Sequence, residues 1–154
     1  MGAWGAEIFE NDDAADLVEE VMGTSDLSRV AQALDAVLES PGYLEAPVAS
    51  EGLAAADIVA RLRGHTGQSA PFDEELSKWI KRTKLSPDAK TVEKARTVVD
   101  RVRTEPSELL ELWSEGDPAP WLKSLDALQH RLTEPPRTGE SPEKKNLFNR
   151  LLGR

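Results

Sequence analysis

Apolar residues recur at three- and four-residue spacing along most of the chain, and the strict alternation of a half-buried strand is nearly absent. The stripes define about seven helices. Asn11 is a good N-cap, with Asp12 and Asp13 in the first turn where the helix dipole favours them. Ala14, Leu17, Val18, Val21 and Met22 then form one stripe, which Gly23 stops. A second helix starts near Ser25 or Asp26, carries Leu27, Val30, Ala31, Leu34 and Leu38, and breaks at Ser40-Pro41-Gly42. Pro47 to Ser50 precede a third, with Leu53, Ala55, Ile58, Val59 and Leu62, that ends at Gly64. Its Ala54-Ala55-Ala56 run lets another backbone come close.

After a loop from Gly64 to Pro71, Asp73 is expected to cap a fourth helix with Leu76, Trp79 and Ile80 inward. Ser86-Pro87 reads as the capped start of a fifth, striped by Val92, Ala95, Val99 and Val102. Ser107 opens a short sixth with Leu109, Leu110, Leu112 and Trp113, closed by Gly116. Asp117-Pro118 starts a seventh that points Trp121, Leu125, Leu128 and Leu132 inward and stops before Pro135-Pro136. The expectation is an all-α, irregular bundle of short helices, with a minor extended segment at Ala6 to Phe9. Residues 1–133 read as one helical domain, 134–142 as a linker and 143–154 as a basic amphipathic tail.

Composition narrows the chemistry. The 154 residues are 39% apolar and 31% charged, which suits a single globular domain with a real core. With no cysteine there is no disulfide, thiolate zinc site or cysteine nucleophile. No apolar run approaches the ~20 residues of a membrane span and no basic-plus-apolar leader is seen, so a cytoplasmic protein is expected. The net charge of −9 is unevenly placed: residues 1–60 hold thirteen acids and one base, Arg29, whereas 61–103 hold eleven bases and six acids. The acidic block argues against nucleic acid or anionic lipid on that face. The middle bases, among them Lys78, Lys81, Arg82, Lys90, Lys94 and Arg101, read best as a solvated face or as the counterpart of the acidic block within the fold.

Candidate sites follow from these blocks. Trp4, between Gly2 and Gly5, is either an anchor that plugs the bundle or the floor of a ligand or partner pocket, the anchor being preferred. Glu10, Asn11, Asp12, Asp13 and Asp16 form an acidic start to the first helix, in which Asp12 and Asp16 share a face. A solvated face is the plain reading, a basic partner the second and a cation the third. The calcium-loop pattern and paired Glu-x-x-His motifs are both missing, so no metal site is assigned. His65 reads as a loop residue and His130 as a helix-surface one. No Walker loop, G-x-S-x-G or H-E-x-x-H occurs, so no catalytic residue and no cofactor is assigned. In the tail, Leu147, Phe148, Leu151 and Leu152 share one helical face among Lys144, Lys145, Arg150 and Arg154, and are expected to dock on the acidic body.

Three stretches carry a family resemblance. MGAWGAEIFENDDAADL resembles the signature M-G-A-W-G-x-G-x-F-E-N-D-x-A-x-D-W; YLEAP followed by an alanine-rich helix is similar to a second motif; SELLELWSEGDPAPWLKSLDALQHRL is similar to a third. They resemble the bacterial domain-of-unknown-function family 4259 from residue 1 to about residue 132. Gly2, Ala3, Trp4, Gly5, Phe9, Glu10, Asn11, Asp12, Ala14 and Asp16 carry the first motif, Tyr43 to Pro47 the second, and Ser107, Glu108, Leu109, Glu111, Leu112, Trp113 and Trp121 the third. Glu7 and Leu17 depart from the usual glycine and tryptophan. The resemblance implies a small helical protein and no activity. The function expected is therefore a non-enzymatic accessory or neutralising module that docks a basic protein surface. The alternatives are a carboxylate-based or metal-dependent enzyme using the acidic block, and nucleic-acid contact through residues 78–103.

Overall fold

The computed structural model describes residues 7–67 and 72–137. Among them are seven helices: α1 Asp12–Met22, α2 Ser28–Leu38, α3 Ala46–Leu62, α4 Asp73–Thr83, α5 Ala89–Val102, α6 Glu108–Ser114 and α7 Ala119–Thr133. No strand occurs among the described residues, and the fold is the all-α irregular bundle that the stripes predict. The expected extended segment is not found over residues 7–9, which form a turn. Glu10 explains it: its backbone N–H donates to the Glu7 carbonyl at 3.1 Å and its carboxylate accepts the Glu7 N–H at 3.0 Å.

Helix α3 is the axis of the molecule. It is predominantly apolar, and each residue from Gly52 to Arg61 is buried. Helices α1, α2, α5, α6 and α7 pack around it. Small side chains permit this. A methyl placed on Gly52 would stand 2.4 Å from Val37 Cγ2 of α2 and 3.3 Å from Val98 Cγ1 of α5, so that glycine is what lets both helices close on α3. Ala54, Ala55 and Ala56 are fully buried, as their run suggests. Helix α4 joins through Trp79, whose indole N–H donates to the Thr24 carbonyl at 2.8 Å.

Several helix starts differ from the sequence reading. Helix α2 begins at Ser28 because the Asp26 carboxylate closes a local turn, accepting the Ser28 N–H at 3.0 Å and hydroxyl at 2.6 Å. Helix α3 begins at Ala46 and takes Pro47 into its first turn, where the missing N–H costs nothing. Helix α5 is capped by Asp88, which accepts the Thr91 N–H at 2.8 Å, instead of by Ser86. Phe72 occupies the cap of α4, and Asp73 turns to a buried arginine described below. Trp79 and Trp121 are buried as expected, but Trp113 is half-buried. It lies on a seven-residue helix at the edge of the bundle and stacks flat on Trp121, 6.3 Å between centroids and 9° between planes.

Candidate functional site

The acidic start of α1 is built by its cap. Asn11 Oδ1 accepts the Ala14 N–H at 2.8 Å, and the Asn11 amide donates to the Ile8 carbonyl at 3.4 Å. Glu10 closes the preceding turn, so both residues have structural duties. Asp12 and Asp16 are exposed and Asp13 is half-buried. The Asp13 carboxyl titrates above the usual carboxylate range, first because of burial and then through the neighbouring charges of Glu51, Asp16 and Asp12. Glu51 reaches this face from α3. Arg29, the sole base in residues 1–60, is held in place by two carboxylates, Glu20 at 2.6 Å and Glu51 at 2.9 Å. Among the described residues no base forms an ion pair with Asp13 or Asp16. The face is thus predominantly acidic, with Arg29 held at its edge by Glu20 and Glu51.

A second charged group lies inside the protein. The Asp57 and Arg61 side chains, four residues apart on α3, are only 3% and 5% exposed. Asp57 Oδ1 accepts from Arg61 Nε at 2.8 Å. Arg131 of α7 grips the same carboxylate with a fork, Nη1 to Oδ2 and Nη2 to Oδ1, each at 2.9 Å. Arg131 Nε and Nη2 also donate to the His65 carbonyl at 3.1 and 2.8 Å. Arg61 Nη1 donates to Asp73 Oδ1 at 2.9 Å, and its guanidinium lies 5.2 Å from the centroid of the Phe9 ring. Phe9 meets Phe72 edge-to-face at 5.0 Å. This cluster joins the segment before α1, the end of α3, the start of α4 and the end of α7. Its charges are matched and its oxygens satisfied, which suits a structural lock better than a reacting site.

A third group forms where two sequence motifs meet. Leu44 and Ser107 make an isolated parallel bridge: the Leu44 N–H donates to the Pro106 carbonyl at 3.2 Å and the Glu108 N–H to the Leu44 carbonyl at 2.8 Å. Glu108 then caps α3 from across the fold, accepting the Ala46 N–H at 2.7 Å. Tyr43 donates its hydroxyl to Glu111 at 3.0 Å.

The sequence-predicted residues therefore separate. Glu10, Asn11, Asp12, Asp13 and Asp16 come together on one turn of α1 and its approach. Trp4, and the tail residues Leu147, Phe148, Leu151 and Leu152, lie outside the described residues. Of the middle bases, Lys94 crosses to Asp35 at 2.8 Å and so does face the acidic block, whereas Arg101 holds loop carbonyls. His130 is exposed, and His65 is a buried loop residue whose Nε2 lies 2.6 Å from the Pro135 carbonyl. Sequence reading missed the Asp57 cluster. The signal was present as two charges four apart inside the most apolar helix. Among the described residues no group of three or more His, Asp or Glu side chains is arranged to hold a metal ion, and no helix is long and apolar enough to cross a membrane.

The fold and this site define a small all-α protein with one acidic helix face and a buried arginine–aspartate lock. A family model described as a domain of unknown function, DUF4259, matches residues 2–124, and the chain belongs to that family. No curated protein and no solved structure matches the chain.

Proposed function

We propose that the protein is a cytoplasmic, non-enzymatic binding module that takes a basic protein surface on the acidic face of α1. One observation carries this reading: Asp12, Asp13 and Asp16 are held together on one helix, beside Glu51, where burial first and then the neighbouring negative charges raise the Asp13 carboxyl. The helix dipole favours Asp12 and Asp13 in the first turn, while like charges at helical spacing repel by a few tenths of a kcal/mol per pair, a repulsion that a cationic partner would relieve. The same field disfavours anionic lipid and nucleic acid.

The test is binding of a labelled oligolysine peptide, followed by anisotropy across a salt series. Replacing Asp12, Asp13 and Asp16 together with Asn should weaken binding and flatten its salt dependence. Replacing Glu75, Glu105 and Glu115 with Gln removes the same charge elsewhere and should have a clearly smaller effect. Equal losses from the two triple variants would leave only net charge and would sink the proposed face.

A further inference from the structure

Tyr43 is the one large apolar side chain that is exposed among the described residues, at 47%. An aromatic ring so placed contributes little to the core, yet it is not loose. Its hydroxyl is tied to Glu111 at 3.0 Å. The loop beneath it is fixed by Arg101 Nη2, which donates to the carbonyls of Gly42 at 2.6 Å and Pro106 at 2.9 Å, and by the Leu44–Ser107 bridge. The ring is therefore held at both ends and presented to solvent.

The charges that act on the phenol are the carboxylates of Glu111, Glu108 and Glu45, while the Arg101 guanidinium beneath the loop is taken up by backbone carbonyls. Partial burial, the bond to Glu111 and the charges of Glu111, Glu108 and Glu45 push the phenol up to about 12, so it stays neutral and keeps its donor at physiological pH. Glu108 is committed to capping α3. Among the described residues no base forms an ion pair with Glu45 or Glu111.

We infer that the fixed ring of Tyr43, flanked by Glu45 and Glu111, is a docking surface for an arginine side chain of a basic protein partner. Guanidinium is the cation that fits both parts. It is planar and weakly hydrated, so it stacks on a ring while its N–H fork reaches carboxylates at the ring's edge. A lysine ammonium is compact and strongly hydrated, and gains less from the ring. A second copy of this chain would bring like charge to like charge. This inference rests on the partner being a basic protein and names the side chain it presents.

The experiment compares two labelled peptides of equal length and charge, one of arginine and one of lysine. The parent protein should bind the arginine peptide more tightly, by about two- to five-fold. Tyr43→Leu, which keeps apolar bulk and removes the ring, should abolish that preference while both peptides still bind. A readout without substitution is also open, because Tyr43 is the sole tyrosine of the chain. Protein labelled at tyrosine gives one set of ring resonances, and these should shift with the arginine peptide and much less with the lysine one. Equal binding of the two peptides, or a preference unchanged in Tyr43→Leu, overturns the arginine site and leaves the acidic-face reading standing. Failure of the parent to bind either peptide overturns both.

Discussion

Asp57 offers the sharpest test of how this fold is held. Its carboxylate accepts three charge-assisted hydrogen bonds, one from Arg61 and two from Arg131, and all three side chains are largely buried. Asp57→Ala would leave two guanidinium groups inside the protein without their shared counter-charge. Arg61 would keep Asp73, and Arg131 would keep only the His65 carbonyl. Breaking a buried pair in this way costs about 3–5 kcal/mol. That is a large part of the roughly 5–15 kcal/mol by which a domain is stable. At roughly 2–4 °C per kcal/mol for a chain of this size, the melting temperature should fall by about 6–20 °C. The assay is urea unfolding followed by far-ultraviolet circular dichroism, read at unchanged slope. A second variant separates desolvated charge from lost packing. Asp57→Ala combined with Arg131→Met removes the stranded cation and should recover part of the loss, so the two changes should not add. An Asp57→Ala protein within about 1 kcal/mol of the parent, or strict additivity in the pair, would refute the account of the cluster as a matched lock.

Three further outcomes are expected. Gly52→Ala places a methyl 2.4 Å from Val37 Cγ2 and should cost about 1–3 kcal/mol in the same unfolding assay, because α2 must retreat from α3. Asp13→Asn should stabilise the protein by a few tenths of a kcal/mol at neutral pH. Asp13 binds its proton more tightly when folded than when unfolded, so its ionised form weakens the fold. The advantage of the amide over the carboxylate should be absent below the ordinary carboxylate value of 3.8, open as the pH rises through the raised folded value, and stay constant above it, which paired melts across acid pH would check. The Tyr43 phenol should titrate near 12 by ultraviolet absorbance, and Glu111→Gln should bring it down toward 10.0; a parent value near 10.0 would contradict the tether.

Local rules made the helices legible and left their docking unread. The stripes gave seven helices because each apolar face follows a period that chain neighbours alone determine. Asn11 and Ser107 were readable as caps because each side chain reaches an N–H three residues on. Starts moved where a side chain had a better use, as with Asp26 in its turn and Asp73 on Arg61. What could not be read is what pairs across long separations. Arg131 and Asp57 stand 74 residues apart, and Glu108 caps Ala46 from 62 residues away. Either contact needs the whole bundle in place before its geometry exists. The acidic turn of α1 was readable as a cluster, since its members are neighbours in sequence; the addition of Glu51 from α3 was not.

The long-range contacts bear on where the folded unit ends. The family model stops at residue 124, inside α7. Beyond it, Leu125, Leu128 and Leu132 are buried and Arg131 holds Asp57. The chain then turns back along the end of α3: the Arg137 N–H donates to the Arg63 carbonyl at 2.7 Å, and Pro135 lies against His65. Gly64 is shaped for that return. It has φ +89°, and a methyl there would stand 2.6 Å from the Arg137 carbonyl. Removing three buried leucines forfeits roughly 1.5–3 kcal/mol each, and stranding Asp57 without its arginine fork adds about 3–5 kcal/mol. The total, about 7.5–14 kcal/mol, is comparable to the roughly 5–15 kcal/mol by which an ordinary domain is stable. A chain ending at Ser124 should therefore fail to give a cooperative thermal transition, whereas one ending at Arg137 retains every contact described for α7 and should unfold cooperatively. A cooperative melt from the shorter chain would mean that α1 to α6 suffice, and that the last turns of α7 and the Arg131 lock are additions to a core already complete.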